Sequence, residues 1–279
     1  MEIRQGQKHV IYDNKESKLL QIPIGAELRN GLSSGFYQLK KIPTMMGTKV
    51  QLIDHEPRIP TSSILVAQEI VDFNYLDELF SNLSKKLHEN LNLNRKVGYL
   101  LHGKQGSGKT TTMYAMAKKL VDSYDCCVFT VEEKEDFHFL IDMILEFREV
   151  KDFKAVIILD ECENELNNYE SYFKSLLDGT DSLNDCVFLM STNYIDNIPN
   201  TIKNRPSRFK YVLNIDGIEE ESVIYEIMKH MNDSLDENVR LGDESIRSYV
   251  NDLKGSTLDE IKTKFMEIAF FENNLIQMV

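Results

Sequence analysis

Five short apolar runs punctuate the middle of this chain, at residues 98–102, 126–131, 155–160, 187–191 and 210–215. Three of them lack period-two alternation, the pattern of strands buried on both faces. Between the runs, apolar residues recur three and four apart, as in TTMYAMAKKLV at 111–121, and that spacing predicts helices. Strand and helix alternating from Val97 onward predict a parallel sheet with helices on both faces. Beyond Ile215 the pattern is helical throughout, in segments over 218–231, 243–253 and 257–271, with Gly255 between the last two. Ahead of the alternating region, residues 64–91 carry Leu76, Leu79, Phe80, Leu83 and Leu87 at helical spacing. Residues 1–60 show strand-like runs instead: GFYQLKK at 35–41 and KVQLID at 49–54 flank MMGT, which predicts a hairpin. PRIPTSS at 57–63 reads as a boundary with an N-cap candidate behind two prolines. Three regions follow: a β-rich N-terminal lobe over 1–62, an αβ domain over 63–215 and an α-helical lid over 216–279.

Composition narrows the class. A chain of 279 residues, 42% hydrophobic and 28% charged, can bury a real core. It has no apolar run of about 18 residues, so no membrane span is expected. The stretch MEIRQGQKHVIYDNK at 1–15 lacks the apolar core of a signal peptide. Cys126, Cys127, Cys162 and Cys186 make no C-x-x-C pair, and three lie in or just after apolar runs. Buried free thiols in a reducing, cytoplasmic setting are expected, and a zinc site is not. The net charge of −13 is unevenly spread. Residues 1–60 hold nine Lys/Arg against six Asp/Glu, whereas 213–279 hold six against fifteen. That distribution offers no broad basic footprint for nucleic acid.

Residues 103–110 read GKQGSGKT and fit G-x-x-x-x-G-K-[ST], the loop that wraps backbone N–H groups around nucleotide phosphates. Its glycines let the backbone approach phosphate in conformations that a Cβ obstructs. Lys109 brings a compact charge to the β- and γ-phosphates, and the Thr110 hydroxyl can ligate Mg²⁺. The apolar VGYLLH at 97–102 leads into the loop and a helix leads out, so the helix dipole faces the anion. The nucleotide-binding candidates are Gly103, Lys104, Gln105, Gly106, Ser107, Gly108, Lys109, Thr110 and Thr111. Loop and pattern together predict an α/β fold of P-loop NTPase type: a five-stranded parallel sheet flanked by helices, with the β-rich lobe before it and the small lid after it.

A phosphate loop binds; hydrolysis needs more. AVIILDE at 155–161 is an apolar strand ending in two carboxylates, 51 residues beyond Lys109. Ligands bind at that end of open α/β sheets. Asp160 can share Mg²⁺ with Thr110, and Glu161 can accept the proton of an attacking water. VFLMSTN at 187–193 is a further apolar strand with a polar end. Asn193 sits beside the γ-phosphate if this strand lies between the first and third of the sheet. In NRPSRF, at 204–209, Arg205 and Arg208 can neutralise charge developing on the γ-phosphoryl group of a neighbouring subunit, worth roughly 10³–10⁵ in rate. The catalytic candidates are therefore Lys109, Asp160, Glu161, Asn193, Arg205 and Arg208.

GKQGSGKT, IILDE, STN and RPSRF, in this order and spacing, resemble the AAA+ ATPases. Residues 176–209 are similar to the second region of homology of the AAA clade proper, whose members include protein-remodelling ATPases and the mitochondrial Rieske-protein translocase. The resemblance covers about residues 64–271. More loosely, a β-rich segment before one such module resembles single-module AAA proteins of large tailed phages, which act in the host cytoplasm. The resemblance implies ATP and Mg²⁺, Walker A at 103–110, Walker B at 157–161, sensor 1 at Asn193, and trans-acting fingers at Arg205 and Arg208. It implies a ring, usually a hexamer, that hydrolyses ATP to remodel a protein partner held by the N-terminal lobe. GSTLDEI at 255–261 lacks the sensor-2 arginine of other branches, as does the AAA clade. The interval 132–154 has no glycine and no aromatic-hydrophobic-Gly pore loop, and Phe137 and Phe139 in DFHFL read as core. The rival class is a clamp-loader-like or helicase-loader-like ATPase acting on nucleic-acid assemblies, with DNA-stimulated turnover and steep salt dependence. A pI near 5.0 weighs against it.

Overall fold

The apolar runs become strands where the hydropathy pattern places them, and they assemble into one sheet. The computed structural model describes residues 9–13, 18–19, 32–44, 47–60, 64, 67, 71, 73–150, 152–178 and 183–277. The N-terminal strands are β1 (His9–Asp13), β2 (Lys18–Leu19), β3 (Gly35–Thr44) and β4 (Gly47–Asp54). Helices α1 (Phe73–Leu79) and α2 (Asn82–Leu91) follow, then β5 (Lys96–His102), α3 (Lys109–Tyr124), β6 (Cys127–Val131), α4 (Phe137–Val150) and β7 (Ala155–Leu159). After them come α5 (Glu163–Asn168), α6 (Glu170–Asp178), β8 (Cys186–Thr192), α7 (Asn200–Lys203) and β9 (Tyr211–Asn214). The last three helices are α8 (Glu221–Asp233), α9 (Asp243–Val250) and α10 (Leu258–Gln277).

The sheet order is β2-β1-β4-β3-β6-β7-β8-β5-β9. Strands β6, β7, β8, β5 and β9 are parallel, the five-stranded sheet that the pattern predicts. Every residue of β7 and β8 is buried, which is why neither alternates in sequence. Leu140, Ile144, Leu166, Phe173 and Leu177 cover one face of the sheet, and Leu76, Leu79, Met113, Met116 and Leu120 cover the other. Phe137 is buried and stacks on Phe173 at 5.3 Å, a core residue as expected, and Phe139 lies partly buried against the same core. The lid has its own core, built from Ile224, Ile227 and Met228 of α8, Ile246 and Val250 of α9, and Ile261 and Phe265 of α10. The four cysteines are buried, and none is in a disulfide.

Two features depart from the simplest expectation. The N-terminal hairpin continues the nucleotide sheet: β3 pairs in parallel with β6, from Gly35↔Cys127 to Leu39↔Val131, and β4 and β1 extend the edge antiparallel. Alternation alone does not reveal this, because a strand that joins an edge and one that stands apart carry the same pattern. The helical run from residue 64 is also broken at Ser81, whose hydroxyl accepts from the Ser84 N–H at 3.1 Å and caps a new helix. Leu76, Leu79 and Phe80 are buried before the break, whereas Leu83 and Leu87 after it are 68% and 51% exposed. The N-cap expected at 61–63, Met45 and Met46 of the expected turn, and most of residues 64–72 lie outside the described residues.

Candidate functional site

The ends of β5, β7 and β8 meet because β8 lies between the other two. That satisfies the condition for Asn193, and it gathers the loop, the two carboxylates and the amide at one edge of the sheet. They line a cavity of about 230 Å³ with Gln105, Gly106, Gly108, Lys109, Thr110, Thr111, Asp160, Glu161 and Asn193 on its walls.

Lys109 lies inside the loop, with Nζ donating to the carbonyls of Gly103 at 2.9 Å and Lys104 at 2.7 Å. Burial pushes its pKa down, opposed by the charges of Asp160 and Glu161. The Lys104 N–H donates to Asp216 Oδ1 at 2.9 Å, so a side chain two residues past β9 anchors the loop. Hydrogen bonding from Asn214 leads the effects that hold the Asp216 carboxyl below its ordinary value. The Thr111 hydroxyl turns back onto the Gly108 carbonyl at 2.9 Å. Gly106 has φ 78°, and a Cβ there would stand 3.0 Å from the Asp259 carboxylate; only glycine suits both conditions.

The Thr110 hydroxyl donates to Asp160 Oδ2 at 2.6 Å. A hydroxyl and a carboxylate at a phosphate loop suit Mg²⁺, which takes one or two protein oxygens and fills its shell with phosphate and water. Among the described residues no cluster of three His, Cys, Asp or Glu could hold a metal ion. The residues fit a Mg²⁺-bound nucleoside triphosphate: Thr110 and Asp160 would hold the ion, while Lys109 and the loop N–H groups would hold the phosphates. Such an ion would supply charge neutralisation to the phosphates.

Sequence reasoning missed Ser191. Its buried hydroxyl donates to Asp160 Oδ1 and accepts from the Glu161 N–H at 3.0 Å, so one residue of β8 ties down the Asp160 carboxylate and the Glu161 backbone. The signal was present, since Ser191 opens the STN string. Asn193 Nδ2 donates to Glu161 Oε1 at 3.0 Å. Leu258, Asp259 and Lys262 close the cavity from the lid, and the Asp259 N–H donates to the Gly106 carbonyl at 3.2 Å. Lys262 adds a cation there without a sensor-2 arginine; it falls one turn after Leu258, a spacing the sequence displays.

Arg205 and Arg208 do not line this cavity. Arg208 donates through Nε to Asp178 Oδ2 at 3.1 Å and through Nη1 to the Thr201 carbonyl, with its side chain 6% exposed. Arg205 touches Asp178 at 3.2 Å, with its side chain 60% exposed. Their turn lies flat on β5 because Gly98 has no side chain; a Cβ there would come 2.2 Å from the Arg208 carbonyl oxygen.

A five-stranded parallel core with a phosphate loop after its first strand and a Thr–Asp pair beside it defines a P-loop nucleotide-binding protein. Residues 99–216 match the model of the ATPase family associated with various cellular activities (AAA). Over 128 residues the chain is 30% identical to a Schizosaccharomyces pombe protein described as "Probable mitochondrial chaperone bcs1". The match covers 40% of this chain and 26% of that protein, so the chain spans about a quarter of the length of the curated relative it matches. Among the described residues no helix is long and apolar enough to cross a membrane.

Proposed function

We propose that this protein is a cytoplasmic, Mg²⁺-dependent ATPase that assembles as a ring, usually a hexamer in this family, and remodels a protein partner recognised by its N-terminal segment. The observation that carries the reading is Glu161 beside Asp160, with its carboxylate on Asn193 and its backbone on Ser191. A protein that only binds nucleotide needs no oriented base at that place. Asp160 and Thr110 hold the metal, Lys109 and the loop hold the phosphates, and Glu161 takes a proton from water. The exposed Arg205 supports assembly, because it lies away from its own chain's cavity and carries a guanidinium that a neighbour's γ-phosphate could take. Lid helix α10 lies on the loop through Leu258 and Asp259, so contacts to the γ-phosphate would be transmitted to the lid as a rigid-body movement. The likeness to a protein described as a chaperone favours a protein partner.

The test is Mg·ATP turnover per subunit against protein concentration. Specific activity should climb steeply as subunits complete one another's sites. Activity that stays flat from dilute to concentrated protein would sink the ring, and no turnover at any concentration would sink the ATPase.

A further inference from the structure

Glu161 is also held from a direction that lies outside the nucleotide motifs. Lys134, in the segment after β6, donates from Nζ to the Glu161 carbonyl oxygen at 2.7 Å and lies 4.0 Å from Oε2. The other carboxylate oxygen faces Asn193. The backbone at Glu161 needs support, since its φ of 49° is in the left-handed region that side chains with a Cβ disfavour. A charge-assisted hydrogen bond to the carbonyl at that turn favours the conformation that sets the carboxylate at the cavity wall. Lys134 does not line the nucleotide cavity itself; it lines a smaller neighbour of about 210 Å³ behind Asp160.

The residues around Lys134 are fastened to β3. Lys40 pairs with Glu132 at 2.9 Å, and Lys41 pairs with Glu133 at 3.1 Å and Asp136 at 2.7 Å. The Glu132 N–H donates to the Leu39 carbonyl at 3.1 Å. A single exposed ion pair fixes little. Three of them with a backbone bond, all on residues 132–136, hold the segment against the hairpin. Contacts therefore run without a gap from β3 through this segment and Lys134 to Glu161.

We propose that Lys134 is a positioning residue for Glu161 and that β3 sets its place, so that the N-terminal hairpin governs the rate of the nucleotide site. The inference rests on Glu161 being the general base. It is tested on the full chain by measuring Mg·ATP kcat and KM, together with Kd for a fluorescent ATP analogue. The variants are Lys134→Met, Lys134→Arg, Lys40→Glu with Lys41→Glu, and all three sites together, beside wild type and Glu161→Gln. Lys134→Met should lower kcat about 10–100-fold, the range set by a misplaced reacting group, with Kd unchanged. Lys134→Arg should recover most of that loss, because it keeps the charge and the donor. The Lys40/Lys41 pair should lower kcat as well, and adding it to Lys134→Met should lower kcat no further, as for residues acting through one another. Wild-type kcat in Lys134→Met, or a loss confined to Kd, overturns the positioning role. Additive losses overturn the link to β3. Turnover surviving in Glu161→Gln instead removes the general-base reading, and the inference with it.

Discussion

Arg205 and Arg208 have equal standing in the sequence and different tasks in the fold. Arg208 spends Nε, Nη1 and Nη2 within its own chain, on Asp178 and the Thr201 carbonyl. Its replacement by alanine strips a mostly buried carboxylate of its main partner, and chemical denaturation should show a loss of about 3–5 kcal/mol. Arg205→Ala should stay within about 0.5 kcal/mol of wild type in the same measurement, yet abolish turnover if subunits assemble in the proposed ring. Equal destabilisation by the two variants would contradict this division. Asp178 also sets a pH dependence. Burial pushes its carboxyl up, but hydrogen bonds from Ser207 and Arg208 outweigh that and hold it below its ordinary 3.8. A depressed folded pKa means that the stabilisation is complete above the unfolded value and is lost as pH falls through the folded one. Denaturation in acid should therefore show the Arg208–Asp178 contribution fading below about pH 4, with no change near neutrality.

At the scale of elements, α10 shows how a short sequence signal places a lid. Thr257 and Glu260 exchange hydrogen bonds, Thr257 N–H to Glu260 Oε2 at 2.7 Å and Glu260 N–H to Thr257 Oγ1 at 3.2 Å. This is a capping box, written in the sequence as T-L-D-E. Thr257→Ala should cost about 1 kcal/mol, read as faster amide exchange in the first turn of α10; unchanged exchange there would show that the cap does not matter. Strands β6, β7 and β8 were legible because burial on both faces leaves an unbroken apolar run, and the phosphate loop because its chemistry needs residues adjacent in sequence. Helix α2 was misleading: its leucines continue the spacing of α1, but the cap at Ser81 starts a helix whose Leu83 and Leu87 face outward. Lys134 could not be found from the sequence, since it reaches Glu161 across 27 residues by way of strand order alone.

For the whole molecule, the continuity of the sheet matters most. Tyr37, Leu39 and Leu52 of the hairpin belong to the same core as Phe129, Ile157 and Phe188 of the nucleotide domain. Removing residues 1–62 should therefore bare the edge of β6 and part of that core, and gel filtration should show aggregate instead of a smaller soluble particle. A monodisperse, folded truncation would mean that the hairpin is dispensable. Strand neighbours are decided in three dimensions, and no local spacing encodes the pairing of Gly35 with Cys127. That pairing also imposes a timetable. Gly35 precedes its partner Cys127 by 92 residues, so at about 5–20 residues per second the ribosome leaves β3 waiting roughly 5–18 s for β6. Throughout that interval the hairpin presents an open edge to every other nascent chain nearby. Lys40 and Lys41 stand on that edge before Glu132, Glu133 and Asp136 have been made, and unpaired lysines on an edge strand discourage pairing with strangers. The same two side chains thus guard the strand during synthesis and fasten it afterwards.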